Sequence, residues 1–282
     1  MRLPRLERAL LVTPLLLPLV ACTPEDPPAE SIAVEIPFAL RLGAEDVGCG
    51  IADDNVGTSA TIVEILDARF YVHDLALLAP DGTEAEVTLE PDGVWQRDTV
   101  ALLDFENGTL ACETGSPGTH KTVTGTAPAG DWDALRFTLG VPSSLAPDDA
   151  AAPPLDDDAF FGSPAGGYLY TRIDVQTRSN PAFAFHLGAT DCAGDDACPR
   201  ANLATIALEG FTPGASRVVL DLATLYADSD LDAAADGVTD LVSGCTALPG
   251  DPECAALLGH LGLAWEDGTE AAEADAFEVD PL

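Results

Sequence analysis

Apolar residues fall on alternate positions through much of this chain. Ile36, Phe38, Leu40 and Leu42 alternate with polar or small neighbours, as do Leu135, Phe137, Leu139 and Val141. Leu169, Thr171, Ile173 and Val175 repeat the spacing. A period of two over such lengths predicts half-buried β-strands. Further strands are expected over 69–78, 86–90, 99–105, 121–127, 182–187, 204–209 and 217–222. Pro-Asp-Gly at 80–82 and again at 91–93 signals turns, so the stretch from Arg69 to Phe105 reads as a meander. Many short strands joined by turns predict an all-β fold, a β-sandwich or barrel-like body with long loops. Helix is limited to two short candidates, 222–226 and 253–261. There is no internal repeat. The Pro-, Ala- and Asp-rich stretch 143–158 reads as a long loop, and 266–282 reads as a disordered acidic tail.

The first residues break this pattern. Arg2, Arg5 and Arg8 precede an apolar run over 9–21, interrupted by Thr13, Pro14 and Pro18. The run is too short for a permanent membrane span and reads as a secretion signal. It closes on Leu19-Val20-Ala21-Cys22, which resembles a bacterial lipobox with Cys22 as the lipidated residue. A multiply acylated cysteine tethers a protein stably, so the expectation is a membrane-anchored chain facing the periplasm or the cell surface. Thr23 replaces the aspartate associated with inner-membrane retention, which favours the outer membrane. The expected organisation is a signal over 1–21, a tether over 22–32, a β domain over 33–265 and the tail.

Charge narrows the range of partners. The 282 residues carry a formal charge of −36. Without the leader's three Arg and one Glu, 9 basic residues face 47 acidic ones, a charge of −38. Phosphate backbones need Lys and Arg, so nucleic acid is excluded as a ligand. Cations, metal ions and basic proteins remain as partners, with solubility alone as the plainer explanation.

Seven cysteines are present. With Cys22 assigned to lipid, Cys49, Cys112, Cys192, Cys198, Cys245 and Cys254 form an even set, which in an exported chain reads as disulfides. Cys192 with Cys198 and Cys245 with Cys254 would each staple a loop, leaving Cys49 with Cys112 as the long-range bridge. This is a preference among the fifteen pairings that six cysteines allow. The absence of any Cys-x-x-Cys argues against a thiolate metal site. No Gly-x-Ser-x-Gly, His-Glu-x-x-His or P-loop is present, and the expectation is a protein that is not an enzyme.

Several longer runs carry a family signature. They are Arg69-Phe70-Tyr71-Val72-His73-Asp74, Trp95-Gln96, the run from Val100 to Gly108, the run from Leu135 to Pro142, Gly166-Gly167-Tyr168 and His186-Leu187-Gly188. In order and spacing they resemble the MbnP-like family, the metallo-mystery pair four-Cys proteins, from about Ile36 to Leu263. The resemblance implies an exported protein acting with a di-haem cytochrome c peroxidase-like (MbnH-like) partner. It also implies copper as the bound metal in some members and, in others, a tryptophan oxidised to kynurenine. The chain departs from the pattern at two places. Gly162 and Pro164 stand where the family has Trp-x-Trp, and Leu145-Ala146-Pro147 stands where it has Leu-Asn-His.

Four histidines are available, and the only methionine is Met1. His73 is expected on a strand face shared with Tyr71, Leu75 and Leu77. An imidazole buried there needs a partner, which a metal or a backbone carbonyl would supply. His186, opening the His-Leu-Gly run, is the second candidate ligand, with a loop-satisfied strand-end histidine as its alternative. His120, beside Lys121, is a weaker third, and His260 is expected to be exposed. Two imidazoles suit copper. Asp228, Asp230, Asp232 and Asp236 faintly resemble a calcium loop, but Ala233 and Thr239 occupy the positions that need Gly and Glu. The functional expectation is a lipid-anchored copper-binding protein with His73 and His186 as ligands. The alternative is a metal-free surface β-sandwich with an interaction or structural role. A third class is a protein from which a haem partner withdraws electrons, where Trp95, Trp132 or Trp265 would have to serve.

Overall fold

The structure is a computed structural model, and the residues it describes are 30–50, 52–113, 115–142, 145, 152–160, 168–191, 198–233, 243–248 and 250–282. In chain order the strands begin with β1 (Ser31–Leu42), β2 (Glu45–Asp46), β3 (Ala52–Val56) and β4 (Thr61–Leu78). Next come β5 (Glu84–Glu86), β6 (Thr88–Leu89), β7 (Gln96–Arg97), β8 (Val100–Asp104), β9 (Thr122–Pro128) and β10 (Ala134–Leu139). β11 (Leu169–Gln176), β12 (Phe183–Gly188), β13 (Ala204–Glu209) and β14 (Ser216–Asp221) precede helix α1 (Leu222–Leu225). β15 (Ser243–Cys245), helix α2 (Cys254–His260) and β16 (Phe277–Pro281) complete the order. Both helices lie where the sequence placed them. Asp221 starts α1 by accepting the backbone N–H groups of Ala223 and Thr224.

The strands form two sheets. The smaller runs β16-β14-β1-β9-β6, with β2 paired to β1. The larger runs β13-β10-β4-β11-β12-β15, with β3, β5 and β8 also paired to β4, and β7 paired to β8. β1 pairs in parallel with β14, and β12 with β15; the other ladders are antiparallel. The alternation in β1 buries Ile36, Phe38 and Leu40, and that in β10 buries Leu135, Phe137 and Leu139. Four phenylalanines lock the sheets face to face. Phe38 and Phe277 of the smaller sheet meet Phe70 and Phe137 of the larger one edge-on, at centroid distances of 5.4–6.3 Å. The fold is therefore an all-β sandwich.

β4 is the spine of the larger sheet, and its alternation is interrupted twice. Against β11 the register jumps from Asp174↔Asp67 to Val175↔Ile65, leaving Leu66 as an extra residue. Against β10 it jumps from Arg136↔Ala76 to Thr138↔His73, and Asp74 sits there at φ 51°. Each bulge reverses which face the following residues occupy. Val63 and Ile65, then Ala68, Phe70 and Val72, then Leu75 and Leu77 all join the main core. Between the bulges, alternation turns Asp67, Arg69, Tyr71 and His73 onto the opposite face. His73 therefore shares its face with Tyr71 but not with Leu75 and Leu77, contrary to the uniform alternation assumed from sequence.

The structure corrects three other expectations. The stretch from Arg69 to Phe105 is not a meander: β5 pairs with β4, β6 crosses to pair with β9 in the other sheet, and β8 returns to β4. The expected disordered tail is ordered. Phe277 is buried, and β16 adds an edge strand to β14. A period-two signal of five residues among acidic neighbours was too short to outweigh the local charge. The tether is also shorter than expected, because Ser31 and Ile32 already pair with β9. Cys49–Cys112 and Cys245–Cys254 are disulfides, as preferred from sequence. Cys198 is also disulfide-bonded, while Cys192 lies outside the described residues. Residues 1–29, which carry the expected signal and Cys22, lie outside them too.

Two stability measurements check this account. Phe277→Ala is expected to cost about 3–5 kcal/mol in denaturant unfolding, as for other buried phenylalanines; a dispensable tail would give no change. Asp74→Gly should be tolerated, whereas Asp74→Val should cost at least about 1–2 kcal/mol, because a β-branched side chain resists positive φ.

Candidate functional site

The segment between the bulges places charged and aromatic side chains on the outer face of the larger sheet. Arg69 donates to both carboxylate oxygens of Asp67, at 2.8 and 2.6 Å, and to Asp157 at 2.5 Å. Its guanidinium also lies 5.1 Å over the ring of Phe160. Register aligns Arg69 with Arg172 on β11, and Arg172 with His186 on β12. Arg172 reaches Asp67 and Asp174 at 3.1 Å each, and His186 Nε2 lies 2.7 Å from Asp174. The result is a ladder of alternating charge across three strands. Burial alone would lower the Arg69 pKa, but the hydrogen bonds it donates to Asp67 and the charges of Asp67, Asp157 and Asp104 outweigh it and hold it above its usual value.

Tyr71 points into a second apolar cluster with Leu102, Phe160, Tyr168 and Tyr170. Its hydroxyl donates to the carbonyl of Pro154 at 2.6 Å and lies 3.0 Å from the Tyr168 hydroxyl. Burial, with the neighbouring Tyr168, pushes the Tyr71 phenol well above its ordinary range. Together Arg69 and Tyr71 fasten the 153–160 segment over the sheet.

Beside this segment opens a cleft of about 240 Å³, lined by Trp95, Asp104, Pro153, Pro154, Asp156 and Asp157 among others. His120 lies parallel to the Trp95 indole, with 3° between the planes and 5.7 Å between centroids. The His120 Nδ1 lies 2.6 Å from the Leu102 carbonyl, which assigns the proton to that nitrogen. The buried carboxyl of Asp104 accepts from the backbone N–H of Glu106. Burial, then the nearby Glu106 carboxylate, pushes Asp104 up to about 8.

The three candidate metal ligands do not converge. His73 is 4% exposed, and among the described residues neither ring nitrogen makes a hydrogen bond; Asp74 lies 3.0 Å from Nδ1, off hydrogen-bond geometry. Burial holds its pKa below the ordinary value, partly offset by Asp74. His186 is aligned through Arg172 with Arg69, four residues from His73 along β4. Two strand spacings across and four residues along separate the α-carbons by roughly 16 Å, too far for one ion. His120 pairs with Asp104 on the edge of β8 away from β4. His260, expected to be exposed, is half-buried, with Nδ1 2.8 Å from Asp275 and Nε2 3.5 Å from Asp228. Asp232 of the faint calcium loop accepts from the hydroxyls of Thr61 and Thr177 and serves as a brace. Gly162, Pro164, Ala146 and Pro147 lie outside the described residues.

Among the described residues, one group of three groups of metal-ligand type comes together: Cys49, Glu106 and Cys112. Its two sulfurs are bonded to each other at 2.06 Å, and Glu106 accepts the N–H groups of Gly108 and Ser116. Sulfurs in a disulfide are not thiolates and leave this group a structural one.

The family model for MbnP matches residues 31–245, most of the chain and all four strands that carry the ladder and cleft. This chain belongs to the MbnP family. A solved structure, MbnP from Methylosinus trichosporium, is 28% identical with a TM-score of 0.77, over 90% of this chain and 99% of that one. No curated protein matches. The MbnP-family match spans the Arg69–Asp74 run, whose His73 is buried.

The charge ladder was missed from sequence, although Asp67-x-Arg69 and Arg172-x-Asp174 left a signal there. Opposite charges two apart inside apolar strands share a face and need one another.

Asp104 gives a test of the buried carboxyls. Its folded pKa lies above its unfolded value, so the native state binds the extra proton and loses stability as pH rises from about 4 to about 8. Asp104→Asn should gain thermal stability over the parent progressively across that range, by on the order of a few kcal/mol. A difference independent of pH would place Asp104 in an ordinary ionised state.

Proposed function

We propose that this MbnP-family chain is a periplasm-facing, lipid-anchored copper-binding protein that acts with a di-haem peroxidase-like partner. The observation carrying this reading is His73, a buried imidazole whose Nε2 has no hydrogen-bond partner among the described residues. Leaving such a nitrogen unmet costs a few kcal/mol, and a soft metal ion is a fitting occupant. The donor chemistry fits copper through one imidazole. When bound, the ion would supply a redox-active or transferable charge on the outer face of the sheet. His73 would hold it, while burial keeps the ring deprotonated and ready to bind. Tyr71 and the 153–160 segment exclude water from the same face. His186 is the weaker candidate, since its Nε2 is engaged by Asp174 and its strand lies too far from His73. The strongly acidic chain suits a partner with a basic docking face.

The second reading is a metal-free β-sandwich lipoprotein with an interaction or structural role. It is favoured by the separation of the histidines, of which no two meet at one point among the described residues.

A copper(I) titration of the domain from Thr23 onward separates the two. One ion bound tightly, weakened at least about tenfold by His73→Ala and unchanged by His186→Ala, is the expected outcome. Weak uptake indifferent to His73→Ala would transfer the case to the metal-free reading.

A further inference from the structure

We propose that the cleft beside Trp95 is a binding site for an organic ammonium ion. It is formed where the 93–95 turn faces the 153–157 segment, with Asp104 at a buried position in its lining. Its walls combine an indole, two prolines and three carboxyl groups. That mixture suits a ligand with an apolar body and a positive charge.

Charge decides the sign of the ligand. Arg69 is the cation in the lining, and all three of its guanidinium nitrogens already face Asp67 or Asp157. An incoming anion would have to break those contacts. Asp156 adds an exposed carboxylate at the same place, so the cleft has more negative than positive charge. The acidic chain as a whole concentrates cations at its surface.

The indole decides the chemistry of the cation. Trp is the strongest of the aromatic side chains toward an alkylated or primary ammonium, whereas a hydrated inorganic ion gains little from its face. His120 fixes the indole plane by stacking parallel to it, and Gly118 packs close against the ring, where an added Cβ would lie 3.0 Å away. The ring is thus held in place before any ligand arrives. The 153–157 segment is equally constrained, through Arg69 to Asp157 and Tyr71 to the Pro154 carbonyl. Pre-ordered walls lower the entropic cost of binding. The site does not use His73, so it stands or falls apart from copper.

The test is calorimetric titration of the full chain, at physiological salt, with choline and with its uncharged isostere 3,3-dimethylbutan-1-ol. Saturable choline binding, with an affinity of about millimolar or better, and no binding of the isostere is expected. Trp95→Leu should weaken choline by about tenfold, and Trp95→Phe, which keeps a π-face and guards against a folding artefact, by less. Lysine amide as a third titrant distinguishes sources. Preference for choline assigns a free quaternary ligand, and preference for lysine amide assigns a partner's lysine side chain; either supports the site. Equal binding of choline and the isostere, or choline binding untouched by Trp95→Leu, would overturn it.

Discussion

The two bulges in β4 set the terms for the rest of the molecule. A strand of 18 residues at the centre of a sheet would ordinarily keep one face to the core throughout. Here the extra residues at Leu66 and Asp74 isolate a middle stretch whose core face is Ala68, Phe70 and Val72. The opposite face of that stretch holds Asp67, Arg69, Tyr71 and His73, all of them buried. Burial on both faces requires a cover. The 153–160 segment provides it for Arg69 and Tyr71, and the charge ladder and tyrosine hydroxyls satisfy the polar groups of Asp67, Arg69 and Tyr71, while His73 stays outside that network.

Such a ladder is not a strong source of stability. Taking charges out of water offsets most of their attraction, and an apolar replacement of similar volume is often as stable. What the ladder does contribute is register. Arg69, Arg172 and His186 stand in one row across three strands, and each meets a carboxylate of a neighbouring residue or strand. A slip of one residue in β11 would leave Arg172 facing the core and Asp67 without one of its two cations.

Much of the fold was legible in the sequence because each strand carries its own period. β1, β10 and β11 could be placed from four alternate positions apiece, and both helices from their local pattern. One cause of failure is that bulges are invisible to a periodic reading. His73 was set beside Leu75 and Leu77 because nothing in Tyr71-Val72-His73-Asp74-Leu75 announces that Asp74 takes positive φ. Pairing across the sheet was equally hidden, so His73 and His186 looked like partners when strand order separates them. Cysteine spacing succeeded for Cys245–Cys254 and Cys49–Cys112 where histidine chemistry did not, because a short loop between two cysteines leaves few geometric choices. The cleft and its stacked Trp95–His120 pair arise from contacts between distant segments, which no local signal encodes. β16 was lost for the opposite reason, a real local signal being masked by acidic composition.

β16 also governs when the sandwich can close. It lies at the far end of the sequence, yet Phe277 completes the four-ring cluster between the sheets, and β16 is the edge against which β14 is paired. A nascent chain growing from its N-terminus reaches those residues last. Until they emerge, β14 lacks one neighbour and Phe70 and Phe137 lack one wall. Closure of the sandwich therefore couples Phe70 and Phe137 in the larger sheet to a strand remote from both in sequence, and the four-ring cluster cannot form from the earlier strands alone.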